Sequence, residues 1–114
     1  MSSFTEDTQN YLVQNRAEAE RIAAAFAEAG GDSSELDDLV YDVAGAYGSS
    51  EANQTDNGDE QEAAISGFES QASEINNGSP VQQIAAILMG HGAVEGERLV
   101  MEAAGDAPSV AKGI

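Results

Sequence analysis

The one imidazole in the chain, His91, stands between Gly90 and Gly92. An imidazole can act as a general base near neutral pH or ligate a metal through either ring nitrogen. Both roles need neighbours of matching chemistry, and the sequence supplies no cysteine and no second histidine. A single histidine flanked by glycines is expected at a helix end or on the surface, and no Ser-His-Asp set can be nominated around it. Carboxylates are the opposite case. With 21 Asp and Glu against 4 Lys and Arg, any two acids can be written as an acid–base pair, so pairing them by sequence has no diagnostic value.

Two further patterns invite a test. Asn53-Gln54-Thr55-Asp56-Asn57-Gly58-Asp59 lies between helical segments and resembles the start of a calcium loop. Aligned on Gly58, it offers Asn53, Thr55 and Asn57 as ligands but places Ala64 where a bidentate glutamate is required. A polar connector is the better reading. Gly90-x-Gly92 and Gly92-x-x-x-Gly96 lack the preceding strand and the lysine of a phosphate-binding loop. No catalytic, cofactor or metal residue is therefore assigned, and the chain is expected not to be an enzyme. Tyr41, Asp56, Asn57, Asp59 and His91 remain as the candidate interaction surface.

The charge itself bounds the partners. The formal net charge is -17 and the sequence pI about 4.1. The acids are spread along the chain and form a surface property, not an acidic tail. Only Arg16, Arg21, Arg98 and Lys112 could neutralise phosphates, which argues against direct nucleic-acid binding. Interfacial helices are basic on their polar faces, so membrane association is not expected either. The longest apolar run, Ile84-Ala85-Ala86-Ile87-Leu88-Met89, falls far short of the ~20 residues that span a bilayer. The N-terminus lacks a basic region followed by an apolar one, so a cytoplasmic location is expected.

Scarce lysine, abundant alanine and dispersed carboxylates together suggest adaptation to molar salt, as in a halophilic microbe or its virus. There the Debye length falls to about 3 Å and self-repulsion is screened. The alternative is a functional polyanion, an acidic inhibitor that imitates nucleic-acid phosphates to occupy a DNA-binding protein. Such a mimic needs acids on one face but gains nothing by shedding lysine elsewhere.

The elements that must position these residues are helices. Between Phe4 and Ala29, Leu12, Ala19, Ile22, Ala23 and Phe26 form one stripe, opened by a Ser3–Glu6 capping box and stopped by Gly30-Gly31. A second helix places Leu36, Leu39, Val40, Val43, Ala44 and Tyr47 at i, i+3, i+4, i+7, i+8 and i+11, capped by Ser34 and ended by Gly48. A polar loop spans about 48–59. The third helix, roughly Glu60 to Asn76, starts on an Asp59–Glu62 box and carries Ala64, Ile65, Phe68, Ala72 and Ile75. Ser79-Pro80 opens the fourth, with proline at its preferred first position and Gln82 completing the box. The stripe loses phase at Gly90-His91-Gly92, and a fifth helix follows from about Val94 to Ala104.

These elements predict an all-α fold, a compact bundle of four to five helices over residues 1–105, with 106–114 as a flexible C-terminal tail. The expected core is Leu12, Ile22, Phe26, Leu36, Leu39, Val43, Phe68, Ile75, Ile84 and Leu88. Alanine- and valine-rich helices bury little area per turn, so the core is expected to be completed by a second copy or a partner helix. The function this composition favours is a non-enzymatic protein–protein interaction or accessory module. Its working surface would be a helix face or the loop around Asp56, with no cofactor.

Overall fold

A computed structural model describes residues 4–112, and the side chains of residues 4–105. Among the described residues there is no strand, and the all-helical architecture stands. The helices number six, one more than the upper expectation: α1 (Phe4–Gln14), α2 (Arg16–Glu28), α3 (Asp37–Ala52), α4 (Gly58–Asn76), α5 (Pro80–His91) and α6 (Ala93–Lys112). A short 3₁₀ turn, Ser33–Leu36, leads into α3.

The extra helix comes from a break at Asn15. Its backbone leaves the helical region at φ -128°, ψ 32°, and its side-chain Nδ2 donates to the Tyr11 carbonyl at 3.1 Å. An asparagine side chain competes with the backbone for such carbonyls, which divides one long amphipathic stretch into α1 and α2. The Ser3 half of the expected capping box lies outside the described residues.

Helix starts shift for similar local reasons. Asp32, not Ser34, caps the second segment. Its carboxylate accepts from the Ser34 N–H at 3.0 Å, and Glu35 reaches back to the Asp32 N–H at 2.7 Å. This reciprocal pair satisfies two free donors at the helix start. Asn57, not Asp59, caps α4, accepting from the N–H groups of Asp59 at 2.9 Å and Glu60 at 3.2 Å. The Ser79–Gln82 box at the start of α5 forms as expected.

Gly48 does not end α3. It is an interior position where a Cβ would lie 3.3 Å from the Ile65 Cα, so glycine permits α4 to approach the α3 backbone. Helical backbone then continues to Ala52, and the connection shortens from 48–59 to residues 53–57. So short a joint sets α3 and α4 side by side as an antiparallel hairpin. Gly92, at φ +91°, does stop α5, donating its N–H to the Leu88 carbonyl at 2.8 Å. A residue with a Cβ would be strained there. The helical backbone of α6 extends past Ala104 to Lys112, across the segment expected as a tail.

The hub is α5, which packs against all five other helices and the 3₁₀ turn. Its residues Gln83 to Leu88 are all buried, a helix apolar on every side because it has neighbours on every side. Nine of the ten expected core residues are buried and Leu39 is half-buried. The core also takes in Phe4, Val40, Ile87, Val100 and Ala104, so α6 contributes as well. Among the described residues, Gln83 is the one buried side-chain amide. Its Nε2 donates to Asp37 Oδ1 at 2.9 Å, Asn76 Oδ1 at 3.1 Å and the Ser33 carbonyl at 3.2 Å. One side chain thus joins the starts of α3 and α5 to the end of α4.

Candidate functional site

The residues expected to form an interaction surface do not converge. Tyr41 sits on α3 at 40% exposure. His91 is the exposed last residue of α5. Asp56 and Asn57 lie in the α3–α4 connection, and Asp59 is in the first turn of α4. Only the last three share a locality. There the Asn57 and Thr55 side-chain oxygens are already engaged: Asn57 caps α4, and the Thr55 hydroxyl donates to Glu60 Oε2 at 2.6 Å. Gln61 Nε2 closes the turn on the Thr55 carbonyl at 2.9 Å. Among the described residues, no group of three or more His, Asp or Glu side chains is placed to hold a metal ion.

What the sequence reading missed is the surface that this turn supports. The hairpin is anchored to the bundle at one end only. Phe68, Ala72 and Ile75 are the buried residues of α4, and the Gln71 Oε1 accepts from both the Thr5 N–H and hydroxyl, each at 2.9 Å. From Gly58 to Gly67, by contrast, no residue of α4 is buried. Ile65 is 42% exposed in that stretch. The first half of α4 meets α3, where Gly48 lies against Ile65, and is otherwise largely exposed.

Two adjoining hollows open along this arm and meet at Glu51. The first, about 270 Å³, is lined by Ala46, Tyr47, Ser50, Glu51 and Phe68. Its aromatic floor is held rigidly. Tyr47 meets Phe4 edge-on at 5.4 Å and leans on Phe68 at 5.6 Å between ring centroids, geometries that aromatic quadrupoles favour. The Tyr47 hydroxyl donates to Asp7 Oδ2 at 2.6 Å, and Met89 Sδ lies 3.7 Å from the same oxygen. Burial, then the hydrogen bond to Asp7, pushes the phenol up to about 12. This tyrosine is a neutral donor locked in place.

The second hollow, about 510 Å³, is lined by Glu51, Gln54, Thr55, Glu60, Ala63 and Ala64. Glu51 and Glu60 bring acid to it, beside the methyl groups of Ala63 and Ala64. Among the described residues, the Glu51 carboxylate has neither a hydrogen-bond nor an ion-pair partner. His91 lines neither hollow.

The charges of the molecule are unevenly matched. Arg16 faces Glu20 at 3.8 Å, Arg21 joins Glu18 and Glu97 at 2.9 Å each, and Arg98 contacts Glu95 at 2.6 Å and also Glu102. These pairs all lie on α2 and α6, and Arg21–Glu97 ties the two helices together. They hold the guanidinium protons of Arg21 and Arg98 more tightly than usual, and Arg98 draws the Glu95 carboxyl below its ordinary range. Between Arg21 and Arg98 the sequence contains no Lys or Arg at all. The α3–α4 arm, bearing Glu51, Asp56, Asp59, Glu60 and Glu62 around its tip, has no cation of its own. No protein-family model matches the chain, and neither do any curated proteins or solved structures. Among the described residues, no helix is long and apolar enough to cross a membrane.

Proposed function

We propose that this protein is a non-enzymatic interaction module whose working surface is the outer half of the α3–α4 hairpin. The observation that supports this reading is the ten-residue start of α4, helical yet without a buried residue, beside an open hollow floored by Tyr47 and Phe68. In water a helix this short gains little from its own hydrogen bonds and is stabilised mainly by packing of an apolar face. Here α3 supplies one side of that packing, and the hollow leaves room for a second. The charge fits a protein working at high ionic strength, where unpaired carboxylates on the arm are screened.

Site-directed photo-crosslinking in extract of the source cells at molar salt tests the reading. A crosslinker at Ser50, on the rim of the hollow, is expected to trap one discrete species, whereas one at Glu20, on exposed α2, is not. Indistinguishable product patterns from the two positions overturn the assignment of the surface.

A further inference from the structure

Resting on the docking surface proposed above, we infer that its occupant is a basic amphipathic helix of a partner protein. That helix would set an apolar side chain in the Tyr47–Phe68 hollow and place Lys or Arg over Glu51 and Glu60. Three observations specify it. The two hollows follow one another along α3 and meet at Glu51, four residues and about 6 Å of helix rise from Tyr47. A groove between two antiparallel helices receives a third helix most readily, reading it through anchors on one face. An apolar anchor and a cation three or four residues apart on such a helix match that spacing.

The second observation is that apolar and acidic groups stand side by side in the groove. Tyr47 and Phe68 give the first hollow an aromatic floor, Glu51, without a partner among the described residues, borders both hollows, and Glu60, its carboxylate held only by Thr55, stands beside Ala63 and Ala64 in the second. An occupant with an apolar segment followed by a positive one is complementary at both places.

The third is what the chain itself cannot offer. Its three arginines are committed to ion pairs on α2 and α6, and a second copy would bring another net charge of -17 against the arm. Self-association through this face is therefore opposed by charge. Nucleic acid is repelled for the same reason.

The probe is a synthetic helical peptide of about four turns, with leucines at i, i+3, i+4 and i+7 and lysines flanking them. It is titrated into the isotope-labelled full chain by NMR at a salt concentration where the chain is helical. Amide shifts are expected to concentrate at Ala46, Ser50, Glu51, Gln54 and Ala63. Ala46→Asp, which puts a charge in the apolar hollow, and Glu51→Lys, which reverses the charge between the hollows, should each weaken binding about tenfold. Both positions are solvent-facing or half-exposed, and far-UV circular dichroism of each variant checks that it folds. If a peptide with glutamate in place of lysine binds the same residues equally well, the basic occupant is overturned and the docking surface stands. If the lysine peptide shifts amides over every acidic face and both variants bind it unchanged, the attraction is non-specific and the surface itself is overturned. The absence of shifts with any peptide overturns the basic helix.

Discussion

Replacing Tyr47 by phenylalanine removes one oxygen from the floor of the first hollow and leaves the ring in place between Phe4 and Phe68. The hydroxyl donates to Asp7 Oδ2 at 2.6 Å, the short distance of a hydrogen bond to a charged acceptor. Such bonds contribute roughly 1.5–3 kcal/mol. Tyr47 and Asp7 are both half-buried, so the lower end applies and Tyr47→Phe should cost about 1.5 kcal/mol. For a chain of this size that is a fall in Tm of roughly 5–10 °C. The pH dependence is a second, independent signature. Burial and the hydrogen bond to Asp7 push the folded phenol from its ordinary 10.0 up to about 12, so its stabilisation is fully present below pH 10 and is lost as pH rises through 12. Urea denaturation series between pH 7 and 12 should show the wild-type chain losing stability over the top of that range. Tyr47→Phe should start lower and fall less. Tyr11, also raised by burial and then by Glu18, leaves a residual slope in both. If the variant matches wild type at pH 7 within about 0.5 kcal/mol, an ordinary surface-substitution effect, or shows the same alkaline decline, then Tyr47 is not a locked donor and the rigid floor is wrong.

Three other expectations follow from the packing. A Cβ at Gly96 would meet Leu88 Cδ2 at 2.6 Å and Leu88 Cα at 2.9 Å, so Gly96→Ala should lose about 1–3 kcal/mol through overpacking; Gly67→Ala, with nothing within 4 Å, should gain about 0.5–1 kcal/mol, and thermal unfolding of the two checks both signs. Gln83→Glu sets a carboxylate facing Asp37 Oδ1, so its folded-state pKa rises; its stability is expected to be best in acid and to decline as pH increases, a slope absent from Gln83→Met. Far-UV circular dichroism during a potassium chloride titration should show helix increasing as salt rises, while a signal independent of salt would mean that self-repulsion is too weak to matter.

Periodicity made most of this fold legible, because apolar residues at helical spacing have few alternatives once the chain is alanine-rich and free of β-branched runs. The α5 start was readable in full, since Ser79, Pro80 and Gln82 each act within one turn. The errors lie where two local solutions compete. Ser34–Asp37 and Asp32–Glu35 have the same spacing; the second pair forms the box, while the Asp37 carboxylate accepts from Gln83, a tertiary partner that local spacing does not show. Gly48 reads as a stop until Ile65 is known to approach it, which no single-segment pattern encodes. The hollow over Tyr47 escaped notice for the same reason. Its lining comes from two helices, α3 and α4, and Phe4 of a third supports Tyr47 from behind. Asp56 and Asn57 were visible as polar and loop-borne, but the Asn57 oxygen serves the cap and Asp56 lines neither hollow, whereas Glu51 borders both.

Burial and charge divide the molecule in the same place. Around α5 the helices are held by apolar contact on every side, and the arginines neutralise part of the acid on α2 and α6. At the tip of the α3–α4 arm neither kind of support is present. Residues with few buried contacts open at low free energy, and unscreened repulsion among Asp56, Asp59, Glu60 and Glu62 lowers that cost further in dilute buffer. Molar salt removes the repulsion but cannot add the missing cover. It also shortens the Debye length to about 3 Å, which removes long-range steering of a basic partner and leaves only charges in direct contact effective. A docking surface that works under those conditions must therefore combine an apolar seat with a contact-distance carboxylate. The Tyr47–Phe68 hollow and the unpaired Glu51 beside it provide that combination, whereas a uniformly acidic face would lose its hold on a partner as soon as the salt rose.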